Sequence, residues 1–332
     1  MKALLMSADG EVDVVEVEKP VTAAGEVLIK IKAAALNHRE LWIAKGMYPG
    51  MTLPCILGAD GSGVIESVGE GVDESKVGEE VIIYPGYDWG DDEDIPLKQF
   101  RVLGMPEPGC IAEYISVPVE NIAAKPAYLS WEEASSVPVA GVTAWRSLTR
   151  HGNIKEGSKV LITGIGGGVA QAGLSIAKSF GAKVYVTSSK TEKIEDAIKK
   201  GAEGGVNYKY EDWCTQLKEL SGGIDIVLDS SPGSNLDDYL KFLNVGARVV
   251  AYGSTGSRKT TLNISKYFLR HIKFIGTAMG SPAEFEALLK HMEAHDIKPV
   301  IEKTFSLAES LLAMETLAAG NQIGKVVITM DS

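Results

Sequence analysis

Residues 159–170 read KVLITGIGGGVA, a short apolar run that leads directly into a cluster of glycines. The run Lys159–Thr163 has the aliphatic and β-branched character of a buried strand. A helix is predicted next, because apolar residues recur at helical spacing from Val169 to Phe180, and Gly181 can end it. Strand, glycine turn and helix in this order predict a loop whose backbone approaches a phosphate.

The glycine turn is predicted to bind the pyrophosphate of a dinucleotide. A Cβ would keep the phosphate out of hydrogen-bonding distance of the backbone N–H groups, and the helix dipole adds partial positive charge there. The last fingerprint position is Ala170 instead of glycine, which the pattern tolerates. A tight turn without a ligand is the alternative. The residues assigned to the contact are Gly164, Gly166, Gly167, Gly168 and Val169.

Strands alternate with helical segments from Lys159 onward, which is typical of a parallel sheet covered by helices. The predicted strands are Lys159–Thr163, Lys183–Thr187, Gly205–Tyr208, Ile224–Asp229, Ala247–Gly253 and Lys273–Gly276. They suffice for a doubly wound dinucleotide-binding sheet. Ser230, Gly253 and Met279 follow the last three strands, at the edge where such sheets bind ligands, so they are further cofactor candidates.

The end of the second strand indicates which coenzyme is used. An NAD enzyme usually has a carboxylate here for the ribose 2′-hydroxyl, whereas this chain has hydroxyls and lysines, among them Ser188, Ser189 and Lys193. These side chains suit a 2′-phosphate, so NADPH is predicted in preference to NADH. A solvated helix start is the alternative. Tyr208, after the third strand, is predicted to close the adenosine pocket, with a core tyrosine as the alternative.

The first third of the chain reads as closely spaced strands separated by Gly and Pro turns. They are Ala3–Met6, Val12–Val17, Val27–Ala35, Gly63–Val68 and Glu80–Ile83. The spacing leaves little room for crossover helices, so an antiparallel or mixed sheet, partly closed into a barrel, is expected. After Gly280, the helices Ala283–His295 and Leu307–Ala319 and the strand Lys325–Thr329 are assigned back to this domain. The predicted domains are residues 1–125 with 278–332, and residues 126–277.

Composition excludes several classes of partner. The 332 residues carry a formal net charge of −11, which argues against binding nucleic acid. No stretch approaches the ~20 apolar residues of a membrane span, and the opening residues lack the pattern of a secretory signal. The three cysteines lie far apart, which excludes a disulfide framework and fits a cytoplasmic protein. The acidic run Asp88–Asp94 is interpreted as a mobile surface loop, because it lacks the spacing of a calcium loop.

Several further motifs resemble the medium-chain dehydrogenase/reductase superfamily over essentially the full length. They are Gly25-Glu26-Val27 with Lys30, Gly58–Val64, Val68–Val72, Gly78–Val81, Ala140–Ala144 and Gly324–Val327. The resemblance implies a GroES-like β-barrel catalytic domain, with a Rossmann domain inserted before its C-terminal part, and a homodimer paired through Rossmann edge strands. It also implies cofactor contacts from Thr143 and Lys325, for which a surface lysine is the alternative.

The same resemblance argues against catalytic zinc. The zinc-ligand positions of the alcohol dehydrogenases correspond here to Asn37, Ala59 and Val139, two of which have no donor atom in the side chain. Trp42 stands where those enzymes often have a proton-relay histidine. No metal is therefore expected.

Asn37–Trp42 and Tyr48 look instead like the zinc-independent quinone oxidoreductase branch, whose Asn and Tyr line the substrate cleft. The resemblance implies that the Asn37 amide and the Tyr48 hydroxyl stabilise negative charge on the substrate. A turn-forming Asn37 and a Tyr48 that only covers the barrel are the alternatives. His38 is a candidate proton donor or a structural residue, and Trp42 is expected to form an apolar wall of the pocket.

The predicted function is NADPH-dependent reduction of quinones, α,β-unsaturated carbonyls or reactive aldehydes by hydride transfer without zinc. Quinones and enones need less polarisation than simple ketones, because the added electrons delocalise onto oxygen. The alternatives are an alcohol dehydrogenase-like carbonyl reductase and an NADPH-binding sensor without catalytic activity.

Overall fold

The structure, a computed structural model, describes residues 1–233 and 236–330. The chain divides into two compact units, Met1–Val142 with the segment from Ser281 onward, and Thr143–Gly280. The sequence-based boundaries, after residues 125 and 277, both lie earlier in the chain. Residues beyond 125 stay with the first unit because they pack on its sheet, where Ser62 Oγ donates to the Trp131 carbonyl at 2.8 Å. Among the described residues, no helix has the length and apolarity to cross a membrane.

The first unit begins with short strands. They are β1 (Lys2–Met6), β2 (Val12–Glu16), β3 (Glu26–Ala35), β4 (Cys55–Ile56), β5 (Asp60–Val68), β6 (Glu80–Ile83), β7 (Gly86–Tyr87), β8 (Arg101–Leu103), β9 (Pro106–Glu107), β10 (Tyr114–Pro118) and β11 (Ile122–Ala124). Its helices are α1 (His38–Ala44), α2 (Trp131–Ser135) and α3 (Pro138–Arg146), the last of which carries the chain into the second unit.

The second unit alternates strands and helices as predicted. The strands are β12 (Lys159–Ile162), β13 (Lys183–Ser188), β14 (Gly204–Asn207), β15 (Ile224–Asp229), β16 (Leu243–Ala251) and β17 (Lys273–Gly276). The helices are α4 (Gly168–Ser179), α5 (Thr191–Lys199), α6 (Trp213–Ser221) and α7 (Ile264–Leu269). The strands form a parallel sheet in the order β14-β13-β12-β15-β16-β17, which is the order of a doubly wound dinucleotide-binding fold.

The last segment of the chain returns to the first unit. It contains α8 (Pro282–Ala294), β18 (Ile301–Ser306), α9 (Ser310–Ala318) and β19 (Lys325–Thr329). β19 pairs antiparallel with β3 and parallel with β18 in a sheet ordered β11-β6-β5-β3-β19-β18, with β10 also paired to β3. The expected mixed sheet in the first unit and parallel sheet in the second unit are confirmed.

Most predicted elements differ from the structure at one or both ends, by one to four residues. The fifth parallel strand, β16, spans Leu243–Ala251. It starts earlier than predicted because a register shift between Ile224 and Ile226 of β15 lets Leu243 pair with Ile224. The predicted helix Leu307–Ala319 begins instead with a 3-10 turn, Leu307–Glu309, before α9. Element ends depend on local hydrogen bonds that a periodicity pattern does not contain.

The acidic run Asp88–Asp94 is tied to the protein by its one aromatic residue. The Trp89 side chain is 3% exposed, packs edge-on against Phe100 at 5.1 Å between ring centroids, and donates from Nε1 to the Asp92 carbonyl at 3.1 Å. Asp88 pairs with Arg101. The loop is at the surface as predicted, and buried aromatic packing anchors it.

Candidate active site

Three strand ends of the large sheet bring together residues that are far apart in sequence. β3 runs antiparallel to its neighbours β5 and β19. The carboxyl end of β3 therefore lies beside the first residues of the other two strands, Asp60 and Lys325. Asn37 follows β3 and precedes α1, so it stands at the same edge. The topology makes this cluster, because no two of its members are near neighbours in the chain.

Asp60 is the centre of a buried hydrogen-bond network. Its Oδ2 accepts from Asn37 Nδ2 at 2.9 Å and from Lys325 Nζ at 2.9 Å, and its Oδ1 accepts from the Val139 backbone N–H at 2.8 Å. Lys325 Nζ also donates to Asn37 Oδ1 at 2.6 Å. Asp60 is 0% exposed and Lys325 4% exposed, so their ion pair is shielded from water. Asp60 was not among the sequence-based candidates.

Asn37 lies at the start of α1, consistent with both alternatives considered for it. Its backbone N–H donates to Glu40 Oε2 at 2.7 Å, which supports the helix start. Its side chain bonds Asp60 and Lys325 and uses one of the two Nδ2 hydrogens. The residue is half-buried. Asn37 thus has one amide hydrogen available for a ligand.

Tyr48 lies against a neighbouring charged cluster. Its ring packs on the Arg39 guanidinium, 5.0 Å away, and Arg39 also donates to the Leu103 carbonyl and pairs with Glu40 at 3.3 Å. Burial raises the pKa of the Glu40 carboxyl, and the Arg39 charge opposes that rise. These contacts give Tyr48 a packing role, while the predicted contact of its hydroxyl with a substrate stays a prediction.

His38 and Trp42 flank this region on α1. Desolvation by the surrounding protein atoms lowers the pKa of the His38 imidazole, and the Lys325 charge lowers it further, so both effects favour the neutral form. A neutral imidazole is a weaker acid than imidazolium, which reduces its suitability as the proton donor. The Trp42 ring is half-buried beside Lys45, at 5.4 Å. The apolar-wall role of Trp42 remains a prediction.

The residues here do not fit a catalytic zinc ion. Ala59 is 0% exposed and Val139 contributes its backbone N–H to Asp60, so neither offers a ligand atom. The side-chain oxygen of Asn37, Oδ1, already accepts a hydrogen bond from the Lys325 ammonium group. Within residues 1–233 and 236–330, no three His, Cys, Asp or Glu side chains are grouped to hold a metal ion. The thiol of Cys110, 3.7 Å from the Ala59 carbonyl oxygen, is fully buried.

The glycine turn of the second unit has the geometry that a phosphate loop needs. Gly164, two residues after the end of β12, has a φ of +62°, and an added Cβ would lie 3.0 Å from Ser230 Oγ. Gly167 precedes α4, whose first backbone N–H groups have no partner within the helix. Gly166 lies in the turn, and Gly168 and Val169 are the first two residues of α4. These residues fit a bound dinucleotide pyrophosphate.

A buried carboxylate that the sequence reasoning missed supports this edge. Asp229 ends β15, is 0% exposed and accepts from Thr163 Oγ1 at 2.9 Å and from Tyr239 OH at 3.0 Å. Burial raises the pKa of the Asp229 carboxyl, and these hydrogen bonds oppose the rise. The Ser230 N–H donates to Thr163 Oγ1 at 3.0 Å. This bond joins the residues that follow β12 and β15, at the carboxyl edge of the parallel sheet.

The coenzyme-specificity candidates lie together after β13 and β14. Ser188 is buried and its Oγ accepts from the Lys190 N–H at 3.1 Å. The Ser189 carbonyl accepts from Asn207 at 3.2 Å, and Tyr208 is 43% exposed. Lys193 lies in the first turns of α5 and is 8% exposed, so it is more enclosed than a solvated helix start requires.

The remaining cofactor candidates lie in different settings. Thr143 is buried in α3, and Gly253 follows β16, where a Cβ would meet the Ser230 carbonyl at 2.6 Å. Met279 follows β17 and is buried with a φ of +59°, a strained conformation for a side-chain-bearing residue that is often found at functional sites. Lys325 is engaged with Asn37 and Asp60, which contradicts the alternative of a surface lysine.

The six-stranded doubly wound sheet with its glycine turn defines a dinucleotide-binding class of protein. The chain matches family models over two ranges, "Alcohol dehydrogenase GroES-like domain" at residues 23–127 and "Zinc-binding dehydrogenase" at residues 168–294. It belongs to the medium-chain dehydrogenase/reductase superfamily.

Individual relatives span nearly the whole chain. A zinc-type alcohol dehydrogenase-like protein of Leptosphaeria maculans is 35% identical and covers 94% of this chain and 92% of its own length. An acryloyl-coenzyme A reductase of Metallosphaera sedula is 32% identical, with 99% of this chain and 100% of its own length covered. A crystal structure of an NAD-dependent alcohol dehydrogenase superposes with a TM-score of 0.93 at 34% identity, covering 100% of both chains.

Proposed function

We propose that this oxidoreductase reduces activated double bonds and carbonyls, namely α,β-unsaturated carbonyls, quinones or reactive aldehydes, with NADPH and without zinc. One observation carries the proposal: Asn37, at a position that motif resemblance matches to a zinc ligand of the family's alcohol dehydrogenases, offers an amide donor held by Asp60 and Lys325. The relative named acryloyl-coenzyme A reductase supports an activated carbon–carbon double bond as the reacting group.

The proposed mechanism assigns separate tasks to the residues of the two units. NADPH, when bound, supplies the hydride. The glycine turn would hold its pyrophosphate, and Ser189 and Lys193 would contact its 2′-phosphate. Asn37 Nδ2 donates its remaining hydrogen to the substrate oxygen, where an enolate or alkoxide charge develops. The α-carbon of an enone or the oxygen of an aldehyde would then take its proton from water.

Steady-state oxidation of NADPH tests this function with a panel of small quinones, enals and saturated ketones. We expect turnover of the first two classes to exceed that of saturated ketones, and dialysis against a chelator to leave the rate unchanged. Metal analysis of the purified protein is the control. Stoichiometric zinc together with loss of turnover on chelation would overturn the zinc-free mechanism. Tight NADPH binding without turnover of any substrate would instead favour the sensor.

A second candidate, an alcohol dehydrogenase-like carbonyl reductase, is favoured by the structural neighbour described as an NAD-dependent alcohol dehydrogenase. Reversible oxidation of primary or secondary alcohols with NAD⁺ at rates above those of enal reduction would establish it.

The coenzyme preference is tested at Lys193. Lys193→Ala removes a positive charge from the site proposed for the 2′-phosphate, so we expect the Kd for NADPH to rise about tenfold, the loss of one charge-assisted hydrogen bond. The Kd for NADH should change less than twofold. Lys199→Ala, on the exposed end of the same helix, is the matched control. Equal weakening of both coenzymes by Lys193→Ala would contradict the assignment.

The proposed homodimer agrees with the uncovered edge of the second unit. Within the described residues, β17 pairs only with β16, and the large apolar side chains on or near it are strongly exposed. They include Val245, Ile264, Phe268, Leu269 and Phe274, exposed by 71, 67, 61, 70 and 44%. An unpaired edge strand flanked by apolar surface suits a second copy of the chain. Phe274→Asp should convert a dimer to a monomer in light scattering, and a monomeric wild-type protein would refute the dimer.

A further inference from the structure

Asn37 contacts the ion pair of Asp60 and Lys325, whose burial costs desolvation free energy. Asp60 and Lys325 are 0% and 4% exposed, with 2.9 Å between their charged atoms. Removing two charges from water has a desolvation penalty that their attraction often only balances, so a buried pair is weak evidence for stability alone. Fixing the geometry of a neighbouring polar group is a role that such pairs serve in some proteins.

The pair leaves Asn37 only one acceptable amide orientation. Lysine has three donors and no acceptor, and an ionised aspartate is an acceptor only. Asn37 Oδ1 therefore faces Lys325 Nζ at 2.6 Å, and Nδ2 faces Asp60 Oδ2 at 2.9 Å. A flipped amide would place its NH₂ group against the ammonium and its oxygen against the carboxylate. The direction of the second Nδ2 hydrogen is thereby fixed.

The ammonium also strengthens that hydrogen as a donor. A charged donor on Oδ1 withdraws electron density from the amide, and hydrogen bonds in a chain polarise one another. Asn37 is half-buried, and within residues 1–233 and 236–330 its Nδ2 has Asp60 as its one hydrogen-bond acceptor. The second hydrogen is therefore available to a substrate oxygen.

We propose that Lys325 and Asp60 are positioning residues that fix and polarise the Asn37 amide for the substrate, and that Lys325 is not a ligand of the cofactor phosphate. The inference rests on the proposed function and assigns these residues within it. Movement of the Lys325 ammonium to a phosphate would leave Asp60 buried without its countercharge, which is strongly unfavourable.

A kinetic double-mutant cycle tests the positioning role. Lys325→Met should lower kcat by about 10- to 100-fold in the wild-type background, an effect comparable to the loss of a preorganised donor. In the Asn37→Ala background the same substitution should change kcat less than twofold, because the amide on which it acts is absent. The Kd for NADPH should stay within threefold of its wild-type value. An equal fall of kcat in both backgrounds, or a tenfold rise in the NADPH Kd, would overturn the proposal.

Two further measurements keep the test decisive if Lys325→Met does not fold or if no substrate is turned over. The double variant Asp60→Asn/Lys325→Met leaves no unpaired buried charge, so it should fold and keep the low kcat of Lys325→Met. A wild-type kcat in this double variant would refute the positioning role. The ¹⁵N side-chain amide signals of Asn37, assigned by their loss in Asn37→Ala, report without activity. In the double variant these amide signals should change chemical shift and their hydrogens should exchange faster with water. Unchanged signals would contradict the inference. If the Asn37 amide signals change as expected but no substrate is turned over, only the proposed function is refuted.

Discussion

Asn37→Ala is expected to lower kcat by about 100-fold, since loss of one preorganised donor to a developing oxyanion costs roughly 3 kcal/mol. The physical reason is that Asn37 supplies a fixed N–H whose direction Asp60 and Lys325 determine. The KM of the substrate and the NADPH Kd should change much less, because the contact strengthens as charge develops on the oxygen. Steady-state kinetics with an enal and fluorescence titration of NADPH measure the two effects.

A second asparagine gives the matched control. Asn263 also stands at a helix start, where its side chain accepts from the Lys266 N–H at 3.4 Å. Asn263→Ala should cost about 1 kcal/mol or less of stability, as a lost cap does, and leave kcat unchanged. A similar kcat in the wild type and in Asn37→Ala would show that Asn37 serves only the helix start.

Gly164→Val is expected to weaken NADPH binding by at least about 100-fold, which corresponds to about 2.7 kcal/mol. Gly164 has a φ of +62°, which valine adopts only with strain, and its Cβ would meet Ser230 Oγ at 3.0 Å. The turn would have to move, and the backbone N–H groups would then leave the positions that a pyrophosphate requires. Isothermal titration with NADPH measures the loss.

The opposite end of the same strand provides the comparison. Gly157 precedes β12, has a φ of +76° and would have no atom within 4 Å of an added Cβ. Gly157→Val introduces a similar backbone strain away from the cofactor edge, so its melting temperature should fall while NADPH affinity stays unchanged. Equal loss of NADPH affinity in Gly157→Val and Gly164→Val would mean that backbone strain on either side of β12, and not the geometry of the glycine turn, determines binding.

The parallel sheet and its turn were predictable because their signals are local. An apolar run, glycines and a helical period occupy residues 159–181, and strand pairing in this unit follows the alternation of strands and helices. The predicted strands Ile224–Asp229 and Lys273–Gly276 agree with the structure at both ends. The sequence also named Asn37 as a candidate site residue, through motif resemblance, and its role stays a prediction.

The partners of Asn37 depended on the tertiary structure. Asp60 and Lys325 lie 23 and 288 residues from Asn37, and they meet only because β5 and β19 both flank β3 in antiparallel pairing. A sequence shows that Lys325 is positively charged, but whether it faces water, a phosphate or a carboxylate depends on which strand ends share a sheet edge. Local chemistry thus determined the fold class and the glycine turn, whereas long-range strand pairing decided the charges around the Asn37 amide.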